Sequence, residues 1–223
     1  MTTFFRFPST PHFLRPAGLE VRDDKVFTAQ ERADFLSHSI HVDEKVDGEN
    51  LGISCDVDSL LFQARGSHVK PGGRHFRGLE TWIRPRRSRI VEALGTDLIL
   101  FGEWCAVTHS VRYDALPDWF LVFDIYQRST GQFWAISLRD EFAKELGLHV
   151  APFLGAGRFD EGELVDLIGK SRIGHGLMEG VVARVQDSSG ALQRAKIVRS
   201  DFVQQIDQHW MSGAQSMNRL ATL

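Results

Sequence analysis

The sequence has little cysteine and no long hydrophobic run. Only Cys55 and Cys105 occur among 223 residues, which is typical of a reducing compartment, although two cysteines could still form one disulfide. The longest apolar runs, at 98–101 and 119–123, are far too short to cross a bilayer, and the first residues do not resemble a signal peptide. We therefore expect a soluble cytoplasmic protein with no membrane partner.

An excess of charge of one sign is also absent. The chain has 26 Lys and Arg residues against 29 Asp and Glu residues, a net charge of −3, which excludes a globally basic nucleic-acid coat but not a local basic patch. Hydrophobic residues are 43% and charged residues 25%, which excludes a disordered or collagen-like protein. No repeat or Pro/Gly/Ser-rich linker interrupts the chain, so residues 1–223 are predicted to form a single domain.

Two common nucleotide-binding motifs, G-x-G-x-x-G and the Walker loop, are missing. Hydrophobic alternation predicts strands over 41–46, 50–55, 59–65, 97–104, 119–126, 149–154, 179–185 and 193–198, with a turn at 187–190. Helices are predicted over 29–37 (capped by Thr28), 76–94 (broken at Pro85), 137–146 (capped by Ser137), 161–168 and from 201 onward. Many strands with few crossover helices indicate an α+β domain of mainly antiparallel sheets flanked by helices.

The residues around Lys45 are the first candidates for chemistry. Lys45 ends a predicted strand and precedes a turn at Asp47 and Gly48, so its amine can project into a cleft. A lysine amine with its ordinary pKa of about 10.4 is protonated and cannot attack. Burial or a neighbouring cation would lower the pKa and expose the lone pair. By itself, K-x-D-G also fits a surface lysine beside a turn.

Four later segments supply the other groups that a nucleotide pocket needs. They contain Glu103 at the end of an apolar strand, Phe123 next to Asp124, Glu179 before two valines, and Lys196 in a late basic strand. A nucleotide pocket needs an aromatic and an aliphatic face for the base, carboxylates for ribose and metal, and cations for phosphates. Each residue alone also fits a core or solvated strand position, but their order and spacing together indicate a nucleotide site.

These segments resemble the motifs of a known superfamily. In chain order, Lys45-Val-Asp-Gly, Phe101-Gly-Glu, Phe123-Asp, Glu179-Gly-Val-Val and Lys196 resemble motifs I, III, IIIa, IV and V of the covalent nucleotidyltransferases. That superfamily comprises ATP-dependent DNA ligases, RNA ligases and mRNA capping enzymes. Glu44 before the lysine and Asn50 after the glycine are more similar to the phage-type and bacterial RNA ligases.

The resemblance implies an ATP-dependent RNA ligase with a nucleotidyltransferase domain. Lys45 would attack the α-phosphorus of ATP, expel pyrophosphate and become lysyl-AMP. The AMP would pass to an RNA 5′-phosphate, and a 3′-OH would then displace it. The partner would thus be RNA with these two ends, which a separate end-healing kinase or phosphatase would prepare.

The resemblance also implies a role for each matching residue. Glu103 would bind the ribose hydroxyls, and Phe123 would stack on adenine opposite Val182. Glu179 would hold Mg²⁺ or Mn²⁺ close to the α-phosphate, and Lys196 would bind that phosphate.

Four further positions follow from the same resemblance. Glu44 would help to recognise adenine, Asn50 would shape the lysine pocket, and Arg65 stands where a motif Ia arginine contacts the nucleotide or the RNA end. Motif V usually has two lysines flanking one residue, so Arg199 or Arg194 would replace the second cation here.

Three alternatives remain open from the sequence. Only 27 residues follow Lys196, which is too few for an OB-fold, so we expect no OB-fold domain. This expectation disfavours a DNA ligase and a GTP-using capping enzyme. A non-catalytic nucleotide- or RNA-binding module is the alternative from another class, but such a module has no need of a nucleophilic lysine.

A cluster of arginines indicates where RNA would bind. The six residues are Arg74, Arg77, Arg84, Arg86, Arg87 and Arg89. Arginine suits bidentate contact with phosphates, so this cluster is predicted to be an RNA-docking face. The alternative is a solvated helix face that pairs with Glu20, Asp23 and Asp24. Two histidines near the motifs, His12 and His109, either line the site or are ordinary loop or core histidines.

Overall fold

The computed structural model describes residues 4–15, 26–57, 59–186, 192–199, 202 and 216–222. The strands are β1 Ile40–Lys45, β2 Glu49–Asp56, β3 Ser59–Gln63, β4 His68–Val69, β5 Leu98–Trp104, β6 Phe120–Gln127, β7 Gln132–Phe133, β8 His149–Val150, β9 Phe153–Gly157, β10 Gly180–Gln186 and β11 Leu192–Val198. The helices are α1 Ala29–Leu36, α2 Leu79–Ile83, α3 Arg87–Leu94, α4 Ile136–Glu145 and α5 Glu161–Asp166, with 3₁₀ turns at Arg74–Phe76 and Arg84–Arg86.

The strands form two sheets. The small sheet has the order β11-β10-β1-β9 and is wholly antiparallel. The large sheet has the order β4-β3-β2-β5-β6-β7, and β8 pairs with β6 in parallel as its one parallel contact in the described chain. Neither sheet closes into a barrel. The predicted α+β class with mainly antiparallel sheets is confirmed.

Both faces of the large sheet are covered. Along β5, Leu98 and Leu100 face the helices α2, α3 and α4, where they join the largest core cluster. Ile99 and Phe101 point to the other face and pack with Phe7. Because both faces are buried, the strand reads as a continuous apolar run instead of an alternating one.

The two faces of the small sheet differ in polarity. One face buries Val42, Val181 and Ile197 against Phe35 of α1 and Leu164 of α5. The alternate positions carry charged groups, and strand pairing places them side by side: Asp43 beside Val182, and Val182 beside Lys196. The charged face looks into the cleft between the sheets, and the chain crosses that cleft between Lys45 and Glu49.

Two helix starts follow local sequence rules. Thr28 caps α1 as predicted, because its hydroxyl accepts from the Glu31 N–H while the Glu31 carboxylate accepts from the Thr28 N–H. Asp160 caps α5 in the same way. The predicted cap at Ser137 is wrong, because α4 begins after Ala135 without a side-chain cap.

Two prolines divide predicted elements. The helix predicted over 76–94 is α2 and α3, separated by a 3₁₀ turn that contains Pro85, whose ring nitrogen has no hydrogen to donate. The strand predicted over 149–154 is two short strands, β8 in the large sheet and β9 in the small one. Pro152 lies between them and gives only its carbonyl, which accepts from the Glu44 N–H.

Two predicted elements lie outside the described residues. They are the turn at 187–190 and the helix from 201 onward, of which only Phe202 is described. In the described parts of the chain, no helix is long and apolar enough to span a bilayer.

Candidate active site

The side chain of Lys45 lies in the cleft between the two sheets. It is about one-quarter exposed, and its Nζ donates to Oε2 of Glu179 at 2.6 Å. Glu179 immediately precedes β10, and Lys45 ends β1, which is paired with β10 in antiparallel register. Two residues 134 positions apart are therefore brought together by strand pairing.

The cavity at this point is an open cleft of about 590 Å³, a volume that includes the solvent-filled space at its mouth. The large sheet and the segments beside it contribute Asn50, Arg65, Glu103, Leu121, Phe123 and Asp124. The small sheet contributes Glu44, Lys45, Val182, Arg184 and Arg194, and other segments contribute Phe7, Thr10, Val46 and Ala151. An aromatic ring, an aliphatic side chain, carboxylates and cations are thus gathered in one cavity.

Lys45 is held as an ammonium. Burial disfavours its charge, but the negative charges of Glu179 and Glu103 outweigh this, so the pKa of Lys45 lies above its ordinary value. The expectation of a lowered pKa is therefore reversed in this structure, because carboxylates surround the amine in place of cations.

The pKa values of both glutamates are raised, whereas those of most carboxylates in folded proteins are lowered. Burial raises the pKa of Glu103 to about 8, an effect that Lys45 opposes and the charge of Glu179 reinforces. Burial likewise raises the pKa of Glu179 to about 6, again against the charge of Lys45. The crowding of buried carboxyls beside one lysine thus favours their protonated forms.

The turn after Lys45 is fixed by Asp47 and Gly48. Oδ2 of Asp47 accepts from the N–H groups of Ser110 and Val111 at 2.6 and 2.7 Å, and the Asp47 N–H donates to the Tyr113 hydroxyl. Gly48 donates its N–H to Oε1 of Glu103 at 3.2 Å. A Cβ on Gly48 would lie 2.6 Å from the carbonyl oxygen of Trp104, so a larger residue does not fit. The Asp-Gly pair therefore positions Lys45 and Glu103.

A β-bulge brings Phe123 and Asp124 to the same cavity. Phe101 pairs with Asp124 and Gly102 with Val122, so Phe123 has no partner in β5. Neighbouring residues normally point to opposite faces of a strand, but the bulge changes that alternation. Both side chains line the cavity, as does Val182 of the small sheet.

Buried ion pairs form one wall of the cavity. Asp124 pairs with Arg194 at 3.2 Å and with Arg184 at 3.5 Å. Oδ2 of Asp43 accepts from Arg184 at 2.8 Å and from Arg139 at 3.1 Å. The Arg194 guanidinium also lies 3.9 Å from the centre of the Phe133 ring, a cation–π contact.

The sequence comparison decides the family. A profile described as RNA ligase matches residues 38–198, which is more than half of the chain. The chain belongs to the RNA ligase family. A comparison with curated proteins gave no match.

Solved structures of a Naegleria gruberi RNA ligase have the same fold as this family member. A variant with ATP and Mn has a TM-score of 0.62 at 16% identity, over 91% of this chain and 62% of that one. A second variant with ATP and Mn has 0.60 at 16%, over 93% and 65%. A variant with AMP and Mn has 0.58 at 16%, over 80% and 54%. This chain spans between 53% and 65% of the length of the matched Naegleria chains.

Most predicted motif residues of this RNA ligase family member share the cavity. Lys45, Asn50, Arg65, Glu103, Phe123 and Val182 all line it, and Glu179 reaches it through Lys45. Their assigned roles stay predictions.

Glu44, Lys196 and Arg199 are placed differently. Glu44 borders the cavity, but its carboxylate accepts from the Ser171 hydroxyl at 2.6 Å and the Arg172 N–H at 2.8 Å. Neither Lys196 nor Arg199 is among the described residues that line the cavity. Nε of Arg199 donates to the carbonyl of Met178, whereas Lys196 shares the cleft-facing side of β11 with Arg194 and its charge lowers the pKa of Glu179.

The predicted arginine cluster is mostly exposed. Arg74, Arg77, Arg84, Arg87 and Arg89 are exposed around α2 and α3. Arg86 differs, since it donates to the Trp82 carbonyl at 2.9 Å and pairs with Asp118 at 3.2 Å. The acids proposed as alternative partners, Glu20, Asp23 and Asp24, lie outside the described residues.

The two histidines near the motifs do not line the cavity in the described chain. His12 is buried and forms backbone bridges with Val26 and Lys196. His109 is partly buried, and its ring centre lies 6.2 Å from that of His75.

Sequence reasoning missed six residues of the cavity wall, namely Phe7, Thr10, Val46, Leu121, Ala151 and Arg184. The strand pattern could have predicted Arg184 as a cavity residue, because it follows Val182 by two positions in the same strand and so shares its face. Phe7 and Thr10 come from a loop, where no periodicity indicates direction.

Proposed function

We propose that this chain is an ATP-dependent RNA ligase that forms a lysyl-AMP intermediate on Lys45. The observation that carries the proposal is the position of the Lys45 amine, 2.6 Å from Glu179 and in one cavity with Glu103, Phe123 and Val182. The ATP and AMP complexes of the Naegleria ligase support an adenine nucleotide as the ligand.

The cavity suits an adenylate in one orientation. The base would lie between Phe123 and Val182, since stacking on an aromatic ring needs a flat slot with an apolar opposite wall. The ribose would then reach Glu103. Because the pKa of Glu103 is about 8, its carboxyl is protonated near neutral pH and can both donate to and accept from hydroxyl groups.

The residues present also fit a divalent cation. Glu179 is a buried carboxylate whose pKa of about 6 leaves it ionised near neutral pH, and the negative charge of Asp47 acts on it. Carboxylate oxygens suit Mg²⁺ or Mn²⁺, with Glu179 as the principal ligand. When bound, the cation would supply positive charge beside the α-phosphate.

The adenylation step needs the neutral amine of Lys45. Glu179 keeps that amine protonated, so the ammonium must lose this partner before it reacts. Once the Glu179 carboxylate is engaged elsewhere, its charge no longer opposes the effect of burial, and the pKa of Lys45 falls. Lys45 is about one-quarter exposed, so its ammonium proton can pass to solvent. Nζ then forms a bond to the α-phosphorus of ATP and loses a second proton, while the bond to the bridging oxygen breaks and pyrophosphate leaves.

Two cations on β11 would offset the phosphate charge. Arg194 and Lys196 share the face of β11 that looks into the cleft, and Arg194 lines the cavity. Arg194 also pairs with Asp124, but Arg199 is not among the described residues that line the cavity, and its Nε donates to the carbonyl of Met178. We therefore assign the second cation of motif V to Arg194 in preference to Arg199.

The remaining steps would join RNA ends. AMP would pass from Lys45 to a 5′-phosphate, and a 3′-OH would displace it. The exposed arginines Arg74, Arg77, Arg84, Arg87 and Arg89 are proposed to bind the RNA phosphates, whereas Arg86 is proposed to stabilise the fold through Asp118. RNA is favoured over DNA because the matching profile is that of the RNA ligases. We also propose that residues 1–223 fold as a single domain and that the protein acts in RNA repair. A separate kinase or phosphatase would prepare the RNA ends.

Labelling of the protein by ATP tests the function. The protein is incubated with α-labelled ATP and Mg²⁺ or Mn²⁺, and acid-stable label on the chain is measured. We expect label on wild-type protein and on the control Lys144→Ala, an exposed lysine of α4, and none on Lys45→Ala. Tight ATP binding without label on any variant would instead support a non-catalytic binding module. Parallel incubations with GTP, nicked RNA and nicked DNA separate the capping-enzyme and DNA-ligase alternatives.

A further inference from the structure

Three side chains with metal-ligating atoms converge away from the nucleotide cavity. Glu49 begins β2, His75 lies in the 3₁₀ turn Arg74–Phe76, and His109 lies between β5 and β6. One ligand atom from each lies within 4.8 Å of the other two, and Oε2 of Glu49 is 3.7 Å from Nδ1 of His75. Residues from three separate segments are therefore gathered at one point.

The three side chains are separate from the site around Glu179. Asn50 lines the nucleotide cavity, and Glu49 precedes it in the same strand, so Glu49 points to the other face of the large sheet. Strand pairing places Glu49 beside Trp104, which belongs to the helix-covered core, and Asn50 beside Glu103. The cluster thus lies across the sheet from the adenylation site.

One side chain of the cluster has a ring nitrogen without a partner among the described residues. Nε2 of His109 is buried and has no hydrogen-bond partner in the described part of the chain. Buried polar atoms are nearly always paired, so an unpaired ring nitrogen beside a second histidine and a carboxylate points to a bound group. His75 is about half exposed, which leaves an open path from solvent.

We propose that Glu49, His75 and His109 bind a single transition-metal cation such as Zn²⁺. Two imidazoles and one carboxylate suit Zn²⁺ and related first-row metals, whereas Mg²⁺ and Ca²⁺ prefer oxygen ligands. Typical metal–ligand distances of about 2.0–2.2 Å require the side chains to draw together by roughly an ångström. With three protein ligands, at least one coordination position stays open to water.

Metal at this site would connect three functional segments. Glu49 adjoins the Lys45 turn, His75 lies among the exposed arginines Arg74 and Arg77, and His109 precedes the residues whose N–H groups bind Asp47. A cation would therefore tie the proposed RNA-docking segment to the turn that carries Lys45. The proposal depends only on the three ligands and stands whether or not Lys45 is adenylylated.

Zinc titration without nucleotide tests the site. The tag-free, metal-stripped full chain competes for Zn²⁺ with a chromophoric chelator, and Co²⁺ absorption reports the coordination. We expect one tight Zn²⁺ per chain, weakened about tenfold or more by Glu49→Gln and by His75→Ala. The controls His149→Ala, an exposed histidine of β8, and Glu179→Gln should keep this tight site.

Two results would overturn the proposal. One is wild-type protein that binds no stoichiometric Zn²⁺, and the other is His75→Ala protein that binds Zn²⁺ as tightly as wild type. Because His75 is exposed, its loss should leave folding intact, which circular dichroism checks. Zinc binding that disappears in His149→Ala would also contradict the assignment, since it would indicate unspecific surface histidines.

Discussion

At the residue scale, the charge balance around Lys45 governs its reactivity. Glu179 and Glu103 hold the amine as an ammonium, and their own pKa values rise because both carboxyls are buried together. A lysine that is protected in this way becomes a nucleophile only when its carboxylate partner is engaged elsewhere. The same carboxyls, when ionised, lower the free energy of unfolding, so the stability of the protein depends on pH.

That cost gives a prediction for Glu103. Its pKa rises from 4.5 to about 8 on folding, so the folded state binds the proton more tightly, and stability falls as pH rises between these values. Glu179 also makes the stability fall as pH rises, but only between its ordinary pKa of 4.5 and its raised value of about 6. Between about pH 6 and pH 8 the loss should therefore belong mainly to Glu103.

Urea unfolding of Glu103→Gln measures this effect. We expect the variant to lose less free energy of unfolding than wild type between about pH 6 and pH 8, by an amount on the order of a few kcal/mol. Glu92→Gln, which removes an exposed carboxylate from α3, is the control and should follow wild type. An identical pH dependence in Glu103→Gln and wild type would show that Glu103 is not buried as described.

At the element scale, strand pairing brings the distant motifs together. The adjacent strands β1, β10 and β11 carry Lys45, Val182 and Lys196, and the β5–β6 pair carries Glu103 and Phe123. Gly180 is part of this arrangement, because a Cβ there would lie 2.0 Å from the carbonyl oxygen of Ile197. Only glycine allows β10 and β11 to pair beside Glu179.

Gly180→Ala should therefore destabilise the fold. The clash is with backbone, which cannot turn away as a flexible side chain can, so we expect a loss of about 1–3 kcal/mol or more in the free energy of unfolding. Gly176→Ala is the matched control, because no atom lies within 4 Å of its added Cβ. Equal stability of the two variants in chemical denaturation would contradict the described packing of β10 on β11.

The sequence predicted most elements but not their partners. Hydrophobic alternation located the strands that carry Lys45 and Glu103, and the resemblance to the nucleotidyltransferase motifs assigned about half of the cavity residues. It could not show that the 149–154 segment divides between two sheets at Pro152, since that depends on long-range pairing. It also could not show that Glu44 binds Ser171, because that contact depends on a loop 127 residues away.

At the scale of the whole molecule, two sheets enclose the cavity and the exposed arginines lie outside it. The large sheet buries its far face under α2, α3 and α4, and the arginines around α2 and α3 therefore face solvent. A chain with a net charge of −3 gains little general attraction for RNA. Binding to RNA phosphates would then depend on this local basic surface.

Charge reversal tests that surface. We expect the double variant Arg84→Glu/Arg89→Glu to bind RNA at least tenfold more weakly, with a shallower dependence of affinity on salt, because fewer counterions are released. Adenylylation by ATP should stay near the wild-type level, since neither residue lines the cavity. Lys144→Glu/Lys170→Glu reverses two charges elsewhere and is the control. Unchanged RNA affinity in the arginine variant would rule out this face.

Arg86 is excluded from that test for a physical reason. It pairs with Asp118 and donates to the Trp82 carbonyl, so Arg86→Glu would place two carboxylates together and destabilise the fold. Reversal of both Arg86 and Arg87 would then confuse loss of RNA binding with loss of structure.

The most direct measurement is the mass of the protein after incubation with ATP and Mg²⁺ or Mn²⁺. The account predicts the addition of a single adenylyl group, located by peptide sequencing on Lys45, with release of one equivalent of pyrophosphate. An adduct on a different lysine, or bound ATP with no adduct and no pyrophosphate, would contradict it.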